Sequence, residues 1–269
     1  MGLYSFIAIV LMLSTLSECQ SNRVQKNENE VIMQTEYKHE NMDTIIPDKL
    51  NMAFILGKFD PTKTNGFTQI DQKFADRAGL WLNIEAYEAF IRMWEAAKKD
   101  NIDLIIRSAT RNFDYQKGIW ERKWMGETTL SSGVNLGNSK YSDLEKAKMI
   151  LEYSAMPGTS RHHWGTDIDL NAFENDWFEK GEGLRVYYWL ENHAHEFGFC
   201  RPYTSKINGR TGYNEEKWHW SYMPLSKGYL LFASQHMSDA DIQGFLGSKT
   251  ADDLQVVKNY VLGVEGCGK

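Results

Sequence analysis

Ser160-Arg161-His162-His163-Trp164-Gly165-Thr166-Asp167-Ile168-Asp169, with Glu215-Glu216-Lys217-Trp218-His219-Trp220 further along, decides how this chain is read. Together the stretches hold imidazoles, carboxylates and a spare glutamate. Those are the components of a catalytic zinc site, which keeps an open position beside its protein ligands. A closed structural site would normally take four protein ligands with cysteines among them. The three cysteines, Cys19, Cys200 and Cys267, lie far from both stretches in sequence and form no CxxC pair.

Spacing constrains the reading. On a straight strand His162 and Asp169 would lie about 23 Å apart, too far to share an ion, so the segment must bend. Gly165 permits the bend, since it alone among its neighbours takes positive φ at little steric cost. Beyond it, Thr166-Asp167-Ile168-Asp169-Leu170 alternates polar and apolar. That pattern predicts a half-buried strand with Asp167 and Asp169 facing the same way, so that either carboxylate could reach a metal.

In the second stretch, a strand puts Trp218 and Trp220 on one face and Lys217 and His219 on the other, which aims His219 away from the tryptophans. A fully extended chain gives Glu215 the face of His219, whereas a turn or bulge just before Trp218 gives that face to Glu216. Spacing alone leaves the two glutamates unresolved.

These residues resemble a known family. SRHHWGTDID is similar to the SxHxxGxAxD signature, and EKWH to the ExWH signature, of the zinc D-alanyl-D-alanine peptidases associated with vancomycin resistance and peptidoglycan trimming, the VanY-like carboxypeptidases and dipeptidases. Arg107-Ser108-Ala109-Thr110-Arg111-Asn112-Phe113-Asp114-Tyr115-Gln116 resembles the family's SxxRSxxxQ segment. The resemblance implies one Zn2+ held by His162, Asp169 and His219, with Glu216 as catalytic base. It implies Arg111 as the residue that holds substrate and the developing oxyanion, and it puts Ser160, Ser108 and Gln116 at positions lining the substrate pocket. The chain departs from the pattern at Asp167, where the signature has alanine, and at Asn112, where serine follows the arginine. The first departure adds a carboxylate able to compete with Asp169 or to sit behind the ligands. The second bears on substrate binding.

The activity so implied is removal of the terminal residue from peptidoglycan stem peptides or other peptides ending in D-alanyl-D-alanine. D,D-dipeptidases, L,D-carboxypeptidases and stem-peptide endopeptidases share these motifs. A non-catalytic, zinc-stabilised cell-wall binding module would share the ligands without needing Glu216.

The residue types suit that chemistry on their own terms. A cation held by two histidines and an aspartate activates water near neutral pH. A neighbouring glutamate can take the water's proton and return it to the leaving amine. A guanidinium such as Arg111 can stabilise charge on the attacked carbonyl oxygen, or clamp a terminal carboxylate in bidentate fashion. Trp164, Trp218 and Trp220 read as core residues, with a wall of the substrate site as the second reading. His193 and His195, two apart on a predicted helix, point in different directions and read as structural.

The remainder of the chain agrees with an exported enzyme. Its 269 residues suffice for one sizeable domain. Acidic residues outnumber basic ones 36 to 30 without a basic run, so nothing points to nucleic acid. An aromatic content of 13% excludes disorder throughout. Residues 3–16 are almost wholly apolar but shorter than a membrane span of about 20 residues, which predicts a signal peptide or lipoprotein signal over 1–19. Cys19 stands where a lipoprotein carries its acylated cysteine, so membrane anchoring through Cys19 and simple secretion are both open, each periplasmic or otherwise extracytoplasmic. Residues 20–47, rich in Asn, Gln and Glu, read as a polar tether or a plain disordered terminus. Residues 48–269 read as the zinc peptidase domain, with a Cys200–Cys267 disulfide tying down its tail.

Within that domain, Ile84, Tyr87, Phe90, Ile91 and Trp94 recur with helical spacing behind an Asn83 cap. Residues 103–108 read as an apolar strand with Arg111 just past its end. Ser142 and Glu145 form a capping box for a helix to about Tyr153, and Pro157-Gly158 follows as a stop. Residues 126–140 read as a loop rimming the site, and Thr250 with Asp253 caps a final helix ending near Gly263. Helices before and after short strands predict an α+β fold, in which a small antiparallel sheet carries the metal and helices flank it. The resemblance implies the same architecture, that of hedgehog and D-Ala-D-Ala peptidase-like domains.

Overall fold

Gly165 turns the chain where no other residue fits. Its φ is +67°, and a Cβ there would lie 2.3 Å from Cε1 of Phe67. Its carbonyl accepts from the Asn83 N–H at 3.0 Å, which fixes the turn against a neighbouring strand. A 3-10 turn, Arg161–Trp164, enters the bend, and a strand, Asp167–Leu170, leaves it.

The computed structural model of the chain describes residues 50–137 and 140–265. The expected leader over 1–19, the expected tether over 20–47, Cys19 and Cys267 lie outside the described residues. In chain order the described residues form α1 (Met52–Ile55), β1 (Phe67–Gln69), β2 (Trp81–Asn83), α2 (Ile84–Lys99), β3 (Ile106–Ser108), α3 (Phe113–Trp124) and α4 (Asp143–Ile150). There follow β4 (Asp167–Leu170), α5 (Gly181–His193), β5 (Phe199–Cys200), β6 (His219–Tyr222), α6 (Met223–His236) and α7 (Ala251–Leu254). Strands β1 and β2 pair antiparallel, and a second antiparallel sheet runs in the order β3-β4-β6-β5. The fold is α+β. No helix among the described residues is long and apolar enough to cross a membrane.

The register of the second sheet builds the site. Ser108 of β3 pairs with Asp169 of β4, and Asp169 pairs with His219 of β6. Side chains directly opposite on neighbouring antiparallel strands have Cβ atoms about 5 Å apart, so this row delivers a carboxylate and an imidazole to one point. All four residues of β4 are buried, and so are all four of β6. The half-buried strand expected from the alternation of 166–170 is therefore corrected. Asp167 and Asp169 turn to buried polar partners instead of water, while Ile168 and Leu170 enter the core.

Other elements also differ from their sequence patterns. The Asn83 side chain caps α2 by accepting from Glu85 N–H, as its position predicts, but the buried face is Ala86, Ala89, Phe90, Met93 and Ala97, while Ile84 stays 40% exposed. Strand β3 spans only Ile106–Ser108, and Arg111 follows it directly before the Asn112 cap of α3. The Ser142–Glu145 capping box is present, yet α4 stops at Ile150. The final helix is broken: Thr250 ends a 3-10 turn and donates its hydroxyl to Gly247 O, α7 lasts four residues, and Gln255 takes φ +47° before a π-helical turn at Val257–Val261.

Candidate metal centre and active site

His162, Asp169 and His219 converge. One ligand atom from each lies within 4.8 Å of the others, and all three residues are buried. Nε2 of His162 is 3.3 Å from one Asp169 oxygen, and Nδ1 of His219 is 3.2 Å from the other. Ligands placed tetrahedrally about 2.1 Å from a zinc ion stand about 3.4 Å apart, so these separations match a shared ion.

Hydrogen bonds set which nitrogen each ring offers. His162 Nδ1 lies 2.8 Å from the Ala109 carbonyl, which can only accept, so Nδ1 carries the hydrogen and Nε2 faces the site. His219 Nε2 lies 2.8 Å from Oδ2 of Asp167, so Nε2 donates there and Nδ1 is left for the site. Buried His162 Nε2 and Asp169 Oδ1 have no hydrogen-bond partner among the described residues, although buried polar atoms are rarely left so. Two orphaned donor atoms beside a third from His219 form a nitrogen and oxygen set that fits Zn2+.

Asp167 has a separate duty. It faces the same way as Asp169, and the two carboxylates address opposite nitrogens of one imidazole. Asp167 also accepts from Arg161 Nε at 2.9 Å, Thr166 Oγ1 at 2.7 Å and Ser221 Oγ at 2.8 Å. It thus stands behind His219 and orients it, the arrangement common to metal-binding histidines. Arg161 is 2% exposed and lies over the Trp164 ring, a buried cation held by a buried anion.

The turn between Trp218 and Glu215 resolves the glutamates. The His219 N–H donates to the Glu216 carbonyl at 3.3 Å, closing a tight turn that brings Glu216 Oε2 to 3.2 Å from His219 Nδ1. Glu215 faces away and pairs with Arg201 at 2.9 Å. The same turn sets Trp218, a buried core residue like Trp164 and Trp220, against the site cavity as well.

Charge follows from this packing. Burial raises the Glu216 carboxyl above its ordinary range, outweighing the pull of His219, which suits a proton acceptor and donor. Burial would also raise Asp169, but the two imidazoles prevail and hold it well below the usual carboxylate range. Burial lowers His162 and keeps it neutral, as a ligand must be. Burial opposes charge on His219 as well, yet the carboxylates of Asp167, Asp169 and Glu216 around its ring raise it well above an ordinary histidine. The site therefore holds one proton or one cation where these carboxylates meet.

Arg111 lies at the junction of two cavities. One of about 770 Å3 is lined by Arg111, Lys123, Asp169, Glu216, Trp218 and His219, among others. The second, of about 360 Å3, is lined by Arg111 and Ser108. Ser131 and Ser132 of the loop after α3 reach the larger cavity, as a rimming loop should. Ser160 is buried, and its carbonyl accepts from His163 N–H; Gln116 is buried, and its Nε2 donates to Ala155 O at 2.8 Å. Neither Ser160 nor Gln116 lines the larger cavity.

His163 is a site residue that the motifs do not reveal. Its Nδ1–H donates to the Arg111 carbonyl at 2.6 Å, and its Nε2 accepts from Gly158 N–H at 3.0 Å. It fastens the backbone of Arg111 to the loop that precedes the metal turn, and burial pushes its ring down to about 3. Its partners are backbone groups distant in sequence, which leave no residue pattern to find. His193 and His195 lie elsewhere, His193 against Glu196 and Trp189, consistent with structural roles.

Known proteins are similar to this chain in sequence. The VanY family profile, described as D-alanyl-D-alanine carboxypeptidase, matches residues 79–225. A D-alanyl-D-alanine carboxypeptidase of Enterococcus faecalis is 31% identical over 134 residues, 49% of this chain and 45% of that protein. The putative carboxypeptidase YodJ of Bacillus subtilis is 29% identical over 146 residues, 53% of this chain and 46% of that protein. The chain thus spans about half the length of the curated relatives it matches. Among solved structures, the LdcB LD-carboxypeptidase aligns with a TM-score of 0.48 and 21% identity over 66% of this chain and 76% of that one.

Proposed function

Because this chain belongs to the VanY family of D-alanyl-D-alanine carboxypeptidases, we propose that it is a zinc-dependent carboxypeptidase releasing the last residue of peptidoglycan stems or other peptides ending in D-alanyl-D-alanine. The observation that carries the reading is the convergence of His162, Asp169 and His219 with Glu216 Oε2 only 3.2 Å from His219 Nδ1. Zinc bound there would bring the pKa of a coordinated water toward about 7 and polarise the peptide carbonyl.

The chain's own residues supply the rest. Glu216, its carboxyl raised by burial, takes a proton from the attacking water and returns it to the leaving amine. Arg111 meets negative charge in the same cavity. Trp218 offers an apolar wall, Ser108 lines the adjoining cavity, and Gln116 fastens the backbone at Ala155. The cavity, about 770 Å3, is of the size that takes a sizeable ligand rather than one closed around a dipeptide, which favours a stem peptide as substrate.

The same reading places the enzyme outside the cytoplasm, delivered by the apolar leader and held either through lipidated Cys19 or not at all. It also includes a Cys200–Cys267 disulfide. In support, the Glu265 N–H donates to Pro202 O at 2.8 Å, bringing the tail back toward Cys200.

The test is Glu216→Gln. The purified variant should retain one zinc per chain and lose release of D-alanine from a stem pentapeptide, by at least about 100-fold. Wild-type protein that binds zinc and releases no amino acid from stem tri-, tetra- or pentapeptides would instead be a wall-binding module.

A further inference from the structure

Lys123 stands in the wall of the metal-site cavity without a carboxylate to answer its charge. It lies in the last turn of α3, on the helix face of Gln116 and Ile119, and lines the same cavity as Arg111, Asp169, Glu216 and His219. Its Nζ donates to the Ser154 hydroxyl, and among the described residues no Asp or Glu oxygen lies within 4.0 Å of it. An ammonium has three N–H donors, so two are left for whatever fills the cavity. Burial pushes the Lys123 ammonium down and the nearby Arg111 guanidinium pushes the same way, with Glu216 opposing both.

The rest of the charged lining is acidic, Glu152, Glu174 and Asp176 beside Asp169 and Glu216, so Lys123 and Arg111 are the two cations that a carboxylate entering this half-buried cleft can meet. The carbonyl oxygen under attack develops charge only during reaction. A peptide with a free C-terminus brings a full negative charge already in the ground state. That carboxylate lies one residue, about 3.8 Å of chain, from the last peptide bond, so the groups that read carboxylate and carbonyl must share one cavity, as Lys123 and Arg111 do. We propose that Lys123 binds the substrate's C-terminal carboxylate, which leaves Arg111 to face the carbonyl oxygen. The proposal rests on the peptidase reading and refines it: Lys123 makes the cut exopeptidic.

The experiment compares a diacetyl-L-lysyl-D-alanyl-D-alanine substrate with its C-terminal carboxamide, using zinc-loaded wild type, Lys123→Met and Lys123→Arg. Methionine keeps the apolar stem of the side chain, and zinc content with thermal unfolding monitors the fold. Lys123→Met should raise KM for the free acid about 10- to 100-fold with kcat within a few-fold, and change the carboxamide little, so that the preference for acid over amide collapses. Lys123→Arg should restore most of that preference. Equal losses on acid and amide, or an unchanged ratio, overturn the assignment. So does a wild type that cleaves both alike, whatever the variants do. A wild type that cleaves neither overturns the peptidase reading itself, a result distinct from the others.

Discussion

Asp167→Asn removes one negative charge from the core and little else. The carboxylate receives donors from Arg161, His219, Thr166 and Ser221. Hydroxyls can turn to accept, so the new amide NH2 can face Thr166 and Ser221 while its oxygen keeps Arg161 and His219. What remains is Arg161, 2% exposed, without its counter-ion. Breaking a buried pair on one side costs about 3 to 5 kcal/mol, which for a domain of this size lowers Tm by roughly 10 °C. Loss of the charge behind His219 also weakens metal binding, about tenfold, and Asp167→Ala, which leaves the His219 Nε2–H without an acceptor, by up to about 100-fold. Competition against a chelator of known zinc affinity and thermal unfolding of metal-free protein measure the two effects separately. A double variant, Arg161→Met with Asp167→Leu, divides them further: apolar replacement of both charges should recover stability but not zinc affinity. If Asp167→Ala binds zinc as tightly as wild type, Asp167 does not orient His219 and the account of the network fails.

Two further outcomes follow from the buried histidines. Zinc must take the place of the proton on His219 Nδ1, whose ring is raised well above the ordinary value by Asp167, Asp169 and Glu216 against the cost of burial, so binding near pH 7 should release about one proton per ion. Titration calorimetry in buffers of different ionisation enthalpy reads that number directly, and an enthalpy independent of buffer would contradict it. His163 titrates at 6.5 when unfolded and about 3 when folded, so between those values the unfolded state holds the extra proton and stability falls as pH falls. From pH 6.5 to 5 the wild type should lose about 2 kcal/mol relative to His163→Gln, a side chain that can still donate to Arg111 O and accept from Gly158 N–H. Urea unfolding at the two pH values gives the difference, and parallel slopes would refute it.

What could be read from the chain beforehand, and what could not, divides along a physical line. The bend at Gly165 was legible because a glycine between a candidate ligand and an alternating strand has few other uses, and both ligands then follow from the reach of an extended chain. Spacing did not choose Glu216 over Glu215, a choice that only the resemblance to the ExWH signature made, because it turns on one tight turn that the side-chain pattern of a strand does not encode. The buried face of α2 was misplaced for a related reason: helical spacing weighted the large residues, while Ala86, Ala89 and Ala97 are small enough to let the helix approach its neighbours closely and so take the core positions. The last helix failed where Gln255 takes a left-handed conformation that its residue type does not announce.

Lys123 and His163 were invisible for a stronger reason. Each acts on a group brought near only by the fold: the Arg111 carbonyl for His163, the Ser154 hydroxyl and the open cavity for Lys123. A motif records residues that must keep a fixed distance along the chain, whereas these keep a fixed distance through space. The ligand set is therefore common property of the motif, while charge placement around it belongs to this chain: Asp167 behind His219 where the signature has alanine, and Lys123 beside Arg111 in the cleft. Since a metal ligand set can cut any peptide bond presented to it, the groups that present the bond decide which one is cut. On the proposed assignment those groups are Lys123 and Arg111, the two cations lining the cavity, so selectivity should depend on the substrate's charge before it depends on its side chains.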